Sequence, residues 1–300
     1  MRYSIAFIAA IAASVQAHGV ITEIQGANGV NMPGLSVQDG TPRDCATPGC
    51  GSEADTSIIR TREMGGKASA LGRTNGGGPV DAAKAISTFM GAGASTASTG
   101  TTSATGAKAP KAKANARGLL DALTGGLGGG KATGGATGAG SKTPKGSAEQ
   151  GVAAAAGTGA SSGLPTAADD GTVTMTFHQV NQDGAGPLTA QIDPTSGGTD
   201  PAAFQDATVS QNVPGIGIGG LSAAAVEDFP VKVQMPAGMT CSGTVGGASN
   251  VCIVRMQNSA LAGPFGGSAA FTQTAAQKKR AVEYNLRKRH MARGILGKLE

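Results

Sequence analysis

Two histidines hold most of the chemistry that this sequence offers. His18 directly follows residues 1–17, which have the form of a secretory signal peptide. Arg2 supplies its positive start, Ile5 to Val15 its apolar run, and Val15 and Ala17 the small residues before a cut. The apolar run is too short to span a bilayer. Cleavage after Ala17 makes His18 the N-terminus, where one residue offers two metal ligands, the α-amine and the imidazole. A cut one residue away, or an uncleaved anchor, removes that chelate. Nitrogen ligation suits Cu(II), the tightest binder of the divalent series. The chain has three His in all. Besides His18 and His290 of the tail, this leaves His178.

Residues 172–178 alternate with period two, as a half-buried strand does. Val173, Met175 and Phe177 point to one side. Thr174, Thr176 and His178 point to the other, toward solvent or a second layer. That placement suits a metal ligand, and also an ordinary exposed His. A histidine brace combines the amine and Nδ1 of the first residue with one nitrogen of a second His. His18 and His178 are the pair that the folded region can supply, for one copper ion. An aromatic residue usually stands in the axial direction of a brace. Phe265, expected in a glycine-flanked loop, is the better candidate and Phe177 the other. Gln179, Gln182 and Asp183 are candidate supporting groups.

The elements that must position these residues are mostly strands. Segments 20–25, 172–178, 188–192, 207–213, 229–235 and 251–257 alternate, with Gly-, Pro- and Asp-rich turns between them. One helix is expected from Pro79, with Ile86, Phe89 and Met90 on one face. Many short strands at this spacing predict a mainly β chain, an immunoglobulin-like β-sandwich. Residues 91–163 contain 55 Gly, Ala, Ser or Thr among 73 and no aromatic residue. Such a segment is expected to be disordered, because it cannot bury enough apolar surface to offset its ordering entropy. It is expected as a long loop inserted into one domain made of 18–90 and 164–277, since loop closure becomes costlier only slowly with length. Two small domains on a string are the competing arrangement. The four Cys of a secreted chain suggest two disulfides. The local pairs Cys45–Cys50 and Cys241–Cys252 are preferred among three pairings, the second closing a hairpin around a Gly-rich turn. A zinc site lacks close Cys pairs with nearby His.

The formal charge of +5 sums unlike parts. Residues 18–90 carry 6 basic and 7 acidic side chains, and 164–277 carry 2 and 8. The folded part is therefore acidic, and the positive charge sits on the insertion and on the tail 278–300, with 8 basic and 2 acidic residues. A nucleic-acid-binding core would need a basic face, so that class is excluded. The tail is helical by pattern. It is a pro-segment cut near Lys279-Arg280, an arm for anionic polymer or membrane, or a solvated charge run. Gly215–Gly220 has the spacing of a phosphate loop but no Lys or helix after it. The carboxylate pairs Asp169-Asp170 and Glu227-Asp228 fall at turn-like positions, where solvation is the plainer expectation.

Several long segments resemble one family in order: 18–30, 32–45, 176–187, 212–219 and 263–273. They closely resemble the Egh-type, or MAS, appressorium-associated secreted virulence factors of fungi, over nearly all of the folded region. The resemblance implies a secreted fungal protein made during host penetration. It supplies no biochemical activity by itself. His18-Gly19, His178, the β-rich pattern and Phe265 also resemble copper lytic polysaccharide monooxygenases, which break glycosidic bonds by oxidation. The folded region departs from them in having no Trp and no Tyr for a flat sugar-binding face.

Two functions follow as expectations. One is a secreted, monomeric copper protein of the appressorium or cell surface, acting oxidatively on cell-wall polysaccharide or a host surface polymer. The other is a non-catalytic surface or matrix protein that aids penetration by adhesion or by masking the wall. Neither calls for nucleic acid or a transmembrane segment.

Overall fold

The structure is a computed structural model that describes residues 18–92, 136–182, 184–215, 222 and 224–296. The expected signal segment, Asp183 and most of 215–220 lie outside the described residues, as do 93–135. The first half holds β1 (Gly19–Gln25), β2 (Asn31–Pro33), β3 (Ser57–Ile58), β4 (Arg73–Thr74), β5 (Gly78–Pro79) and helix α1 (Ala82–Phe89). Then come β6 (Ala136–Thr137), β7 (Ser141–Lys142), α2 (Gly151–Ala155) and α3 (Gly159–Ser162). The second half holds β8 (Thr172–Gln179), β9 (Thr189–Asp193), β10 (Gln205–Asn212), β11 (Glu227–Gln234), β12 (Gly243–Val245), β13 (Ala248–Gln257), β14 (Phe265–Phe271) and helix α4 (Ala275–Leu296).

The strands run in the order β2-β1-β8-β11-β10-β9-β13-β14-β3-β4-β5. All neighbours on this path are antiparallel. Strand β10 pairs with β11 along Thr208–Gln211 and with β9 along Gln205–Ala207. It thus turns the corner between two halves of one curled sheet, whose apolar faces meet as a sandwich. The mainly β expectation holds. Ile21, Met175, Phe177 and Val231 from one half share a core with Ile192, Val254 and Phe271 from the other. Val173, Met175 and Phe177 point inward as their alternation predicts.

All six expected strands are present. Strand β14 was not among them, because PheGlyGlySerAlaAlaPhe is too rich in small residues to show alternation. All seven of its residues are buried. Small side chains are what its place allows: an added Cβ on Gly267 would press into Ile21 of the facing strand. Both expected disulfides form, with Cα–Cα separations of 6.6 Å for Cys45–Cys50 and 5.0 Å for Cys241–Cys252. The second closes the β12–β13 hairpin over its Gly246-Gly247 turn, both glycines having positive φ. Helix α1 starts later than Pro79. Asp81 caps it, accepting the Lys84 N–H at 3.1 Å, while Pro79 lies in β5. Ile86 and Phe89 are buried and Met90 partly so.

The insertion expected to be disordered over 91–163 is ordered from residue 136 onward. The reason lies in polar anchors rather than in its own composition. Both carboxylate oxygens of Asp39 accept N–H groups at the start of α2, from Val152 and Ala153 at 3.0 and 2.7 Å. Glu149 accepts from Arg43 Nε at 3.1 Å and Nη2 at 2.9 Å. Arg43 also grips Asp55 bidentately at 3.0 and 2.6 Å, with Arg43 and Asp55 both buried. Burial alone would depress the Arg43 guanidinium, but Asp55 and Glu149 hold its pKa above the ordinary value. Gly159 then lies against Phe89 so closely that an added Cβ would overlap the ring.

Two stability predictions follow. Arg43→Ala strands the buried Asp55 carboxylate, so urea unfolding should show a loss of about 3–5 kcal/mol. Asp193 is buried, and its carboxylate accepts the N–H groups of Thr195, Ser196 and Gly198 at 2.7–2.8 Å and the Ser196 hydroxyl at 2.5 Å. Burial raises its pKa, but these donors outweigh burial and hold it below the usual carboxylate value. Its contribution is therefore fully present above the unfolded-state value of about 3.9 and fades as pH falls through the folded-state pKa. Asp193→Ala should cost about 3 kcal/mol at pH 7, and the gap from the parent should narrow in acid unfolding curves.

Candidate functional site

Strand β8 lies between β1 and β11, and its C-terminal end, with His178, pairs with the start of β1 next to His18. Gly19 pairs with Gln179 and Val20 with His178. One step further, the Val180 N–H donates to the His18 carbonyl at 3.0 Å. His178 thus sits opposite the residue two places along β1 from His18. Diagonal neighbours of this kind stand roughly 7–8 Å apart. Close packing dictates the glycines here. A Cβ on Gly19 would overlap the Phe177 ring, and one on Gly184 would strike the His18 carbonyl.

His18 is buried. Its main-chain nitrogen donates to Asn181 Oδ1 at 2.7 Å, and its Nδ1 lies 3.3 Å from Glu53 Oε1. Asn181 Nδ2 donates to the same Glu53 oxygen at 3.2 Å, closing a small polar ring around the two nitrogens of His18. On its other side the imidazole meets Phe265, with ring centroids 4.3 Å apart and planes tilted by 40°. Phe265 is therefore beside His18 as expected, although it opens β14 instead of lying in a loop.

His178 has no solvent exposure at all, which decides for a second layer over solvent. Its Nδ1 is 2.8 Å from Oδ1 of Asp228, its register partner on β11. A carboxylate can only accept, so Nδ1 carries the proton. Nε2 is left buried with no hydrogen-bond partner among the described residues. A buried polar atom without a partner is costly and calls for an explanation.

The supporting groups differ from those expected. Gln179 Nε2 donates to the carbonyls of Asn181 and Ala224 at 2.9 and 2.6 Å, and the Gln182 carbonyl accepts from Ser222 N–H at 2.6 Å. Both clamp loop backbone. Glu53, Asn181 and Asp228 touch the histidines instead. Asp228 was passed over as part of a turn-like carboxylate pair, yet Glu227 and Asp228 open β11. The other pair behaves as expected of a turn: Asp170 accepts the Thr172 N–H at 2.8 Å. Among the described residues no group of three or more His, Cys, Asp or Glu side chains is placed to hold a metal. A brace asks for less, two side chains and a terminal nitrogen.

A family model described as Egh16-like virulence factor matches residues 16–266. The chain belongs to that family. It is 58% identical over 298 residues, 98% of this chain and 97% of the relative, to appressoria-specific virulence factor GAS2 of Pyricularia oryzae. It is 40% identical over 119 residues, 40% of this chain and 46% of the relative, to appressoria-specific virulence factor GAS1 of the same fungus. No solved structure matches.

In this Egh16-like chain His18 and Phe265 border an open cavity of ≈ 530 Å³ that also includes Glu53, Asn75 and Ala262. The chain at Ala262, which lines it, is braced by Arg60. Arg60 donates to the carbonyls of Gly263, at 3.0 Å, and of Ala262, and is itself tied to Glu63. Leu261, next to Ala262 in the chain, stands 96% exposed. Among the described residues no helix is long and apolar enough to cross a membrane.

The His178–Asp228 pair makes a prediction of its own. Imidazole ¹⁵N shifts of the metal-free parent should report the Nδ1–H tautomer at His178. Asp228→Ala should move the shifts toward a mixture and cost about 1 kcal/mol in thermal unfolding, the bond being partly exposed.

Proposed function

We propose that this appressorium-type virulence factor is secreted, is processed to begin at His18, and binds one copper ion through the His18 amine, His18 Nδ1 and His178 Nε2. The observation that carries this reading is the unpartnered, buried Nε2 of His178, whose other nitrogen is held by Asp228. An imidazole oriented by a carboxylate, with its free nitrogen withheld from water, is the usual arrangement of a metal-ligating His. The donor set, nitrogen throughout, fits copper. The names of the relatives support a role in the appressorium and in virulence.

When bound, copper would supply one-electron redox chemistry, with O₂ or peroxide as oxidant, toward a cell-wall polysaccharide. The residues of the chain have separate tasks in this reading. Asp228 keeps the proton of His178 on Nδ1. Asn181 accepts from the His18 nitrogen and so orients it. Glu53 stands next to Nδ1 of His18, where it can hold a proton or a polar group of the substrate. Phe265 covers one side of the His18 ring and keeps water from it. Among the described residues the cavity offers no exposed aromatic platform, which favours a soluble or loosely packed polymer over a crystalline one.

Cu(II) EPR of protein secreted with its own leader tests the proposal. The expected result is one copper per chain with an axial spectrum showing nitrogen couplings. His178→Ala should lose it, as should a variant with Gly-Ser placed before His18, while both keep the parent's circular dichroism. Copper binding indifferent to both changes would refute the brace and leave the non-catalytic wall-binding role in front.

A further inference from the structure

Helix α4 carries a second surface that the copper reading does not use. It runs Ala275–Leu296 with seven Lys or Arg and a single acidic residue, Glu283. Only its first half is docked. Gln277 and Ala281 are buried, and Asn285 Nδ2 donates to the Gly238 carbonyl at 2.9 Å. These positions, four apart, form one narrow contact stripe. From Leu286 to Arg293 every residue is exposed. The helix therefore stands clear of the body for about 12 Å beyond Asn285.

The distribution of side chains on this arm selects its partner. Val282 and Leu286 are 50% and 47% exposed, and Tyr284 and Met291 46% and 67%. The two pairs lie on nearly opposite sides, since two residues advance the helix by about 200°. A helix that lies in a bilayer needs one continuous apolar face, and the described side chains of this one form none. Its cations surround the axis, which suits a flexible polyanion able to wrap. Apart from Tyr284 and His290 the arm has no aromatic ring, so it lacks the row of stacking platforms that single-stranded nucleic-acid binders use. Both disulfides point to an oxidising, extracellular setting, where the abundant polyanions are acidic polysaccharides.

We propose that the exposed half of α4 is an anchoring arm for a linear, carboxylate-bearing polysaccharide. Its docked root lies beside the end of β8 away from His178. Gly171, just before β8, lies against Gln277, while His178 is seven residues further along the chain. That separation is about 23 Å. The arm therefore acts on attachment rather than on the cavity, and it stands whether or not the chain binds copper.

Affinity electrophoresis of the full chain in native gels containing polygalacturonate tests the arm, with R287Q/K288Q/R289Q/R293Q as the comparison. These four side chains are exposed, so the parent's melting temperature should be kept. The parent should be retarded, with salt relieving the retardation, and the variant should bind at least about tenfold more weakly. His178→Ala should bind like the parent, which separates this outcome from that of the copper experiment. Equal retardation of the quadruple variant would overturn the proposal. So would binding of equal strength to neutral glucan, to phosphatidylserine vesicles or to single-stranded DNA. Salt-sensitive self-association of the parent through its acidic body would also overturn it.

Discussion

The ladder β1–β8–β11 is the constraint on which the rest of the molecule depends. It sets Val20, His178 and Asp228 in register across three strands. A slip by one residue would turn Met175 and Phe177 out of the core and His178 into it. The same pairing seats the main chain of His18 between Val180 and Asn181. The apolar face of the ladder stabilises the fold, and its opposite face orients the imidazole. Core and candidate site are thus two sides of one pairing, and a change that loosens the strands would disturb both.

Around this ladder, buried charge does work that apolar surface cannot. The loop bearing Glu53 also bears Asp55, and Arg43 ties Asp55 to Glu149 of the returning insertion. A segment of mostly Gly and Ala has little to bury, but two carboxylates, Glu149 and Asp39, supply directional bonds that hold it. The loop next to His18 is therefore steadied by residues far from it in sequence. A buried pair of this kind is weak evidence for stability as such, but its loss is costly because it leaves a charge unpaired.

Charge is segregated along the chain as well. The basic helix α4 docks on the acidic body beside the start of β8, and His178 lies toward the other end of that strand. The overall pI near 9.1 therefore describes neither the acidic body nor the basic helix.

The sequence by itself determined the strands whose two faces differ. The alternation in 172–178 identified both the inward residues and the departure of His178, because one core face and one other face leave a period-two imprint. Local disulfides and the helix before residue 90 were legible for a similar reason: their partners are near in the chain. Only the tertiary structure decided the rest. Strand β14 is covered on both faces and built of small residues, so it leaves no alternation to find. Residues 136–163 are ordered by partners at 39 and 43, which composition cannot reveal. His18 meets Glu53, Asn181 and Phe265 across separations of 35 to nearly 250 residues. Such contacts follow from how the sheet curls, and a single sequence records each residue without recording its neighbour across the fold.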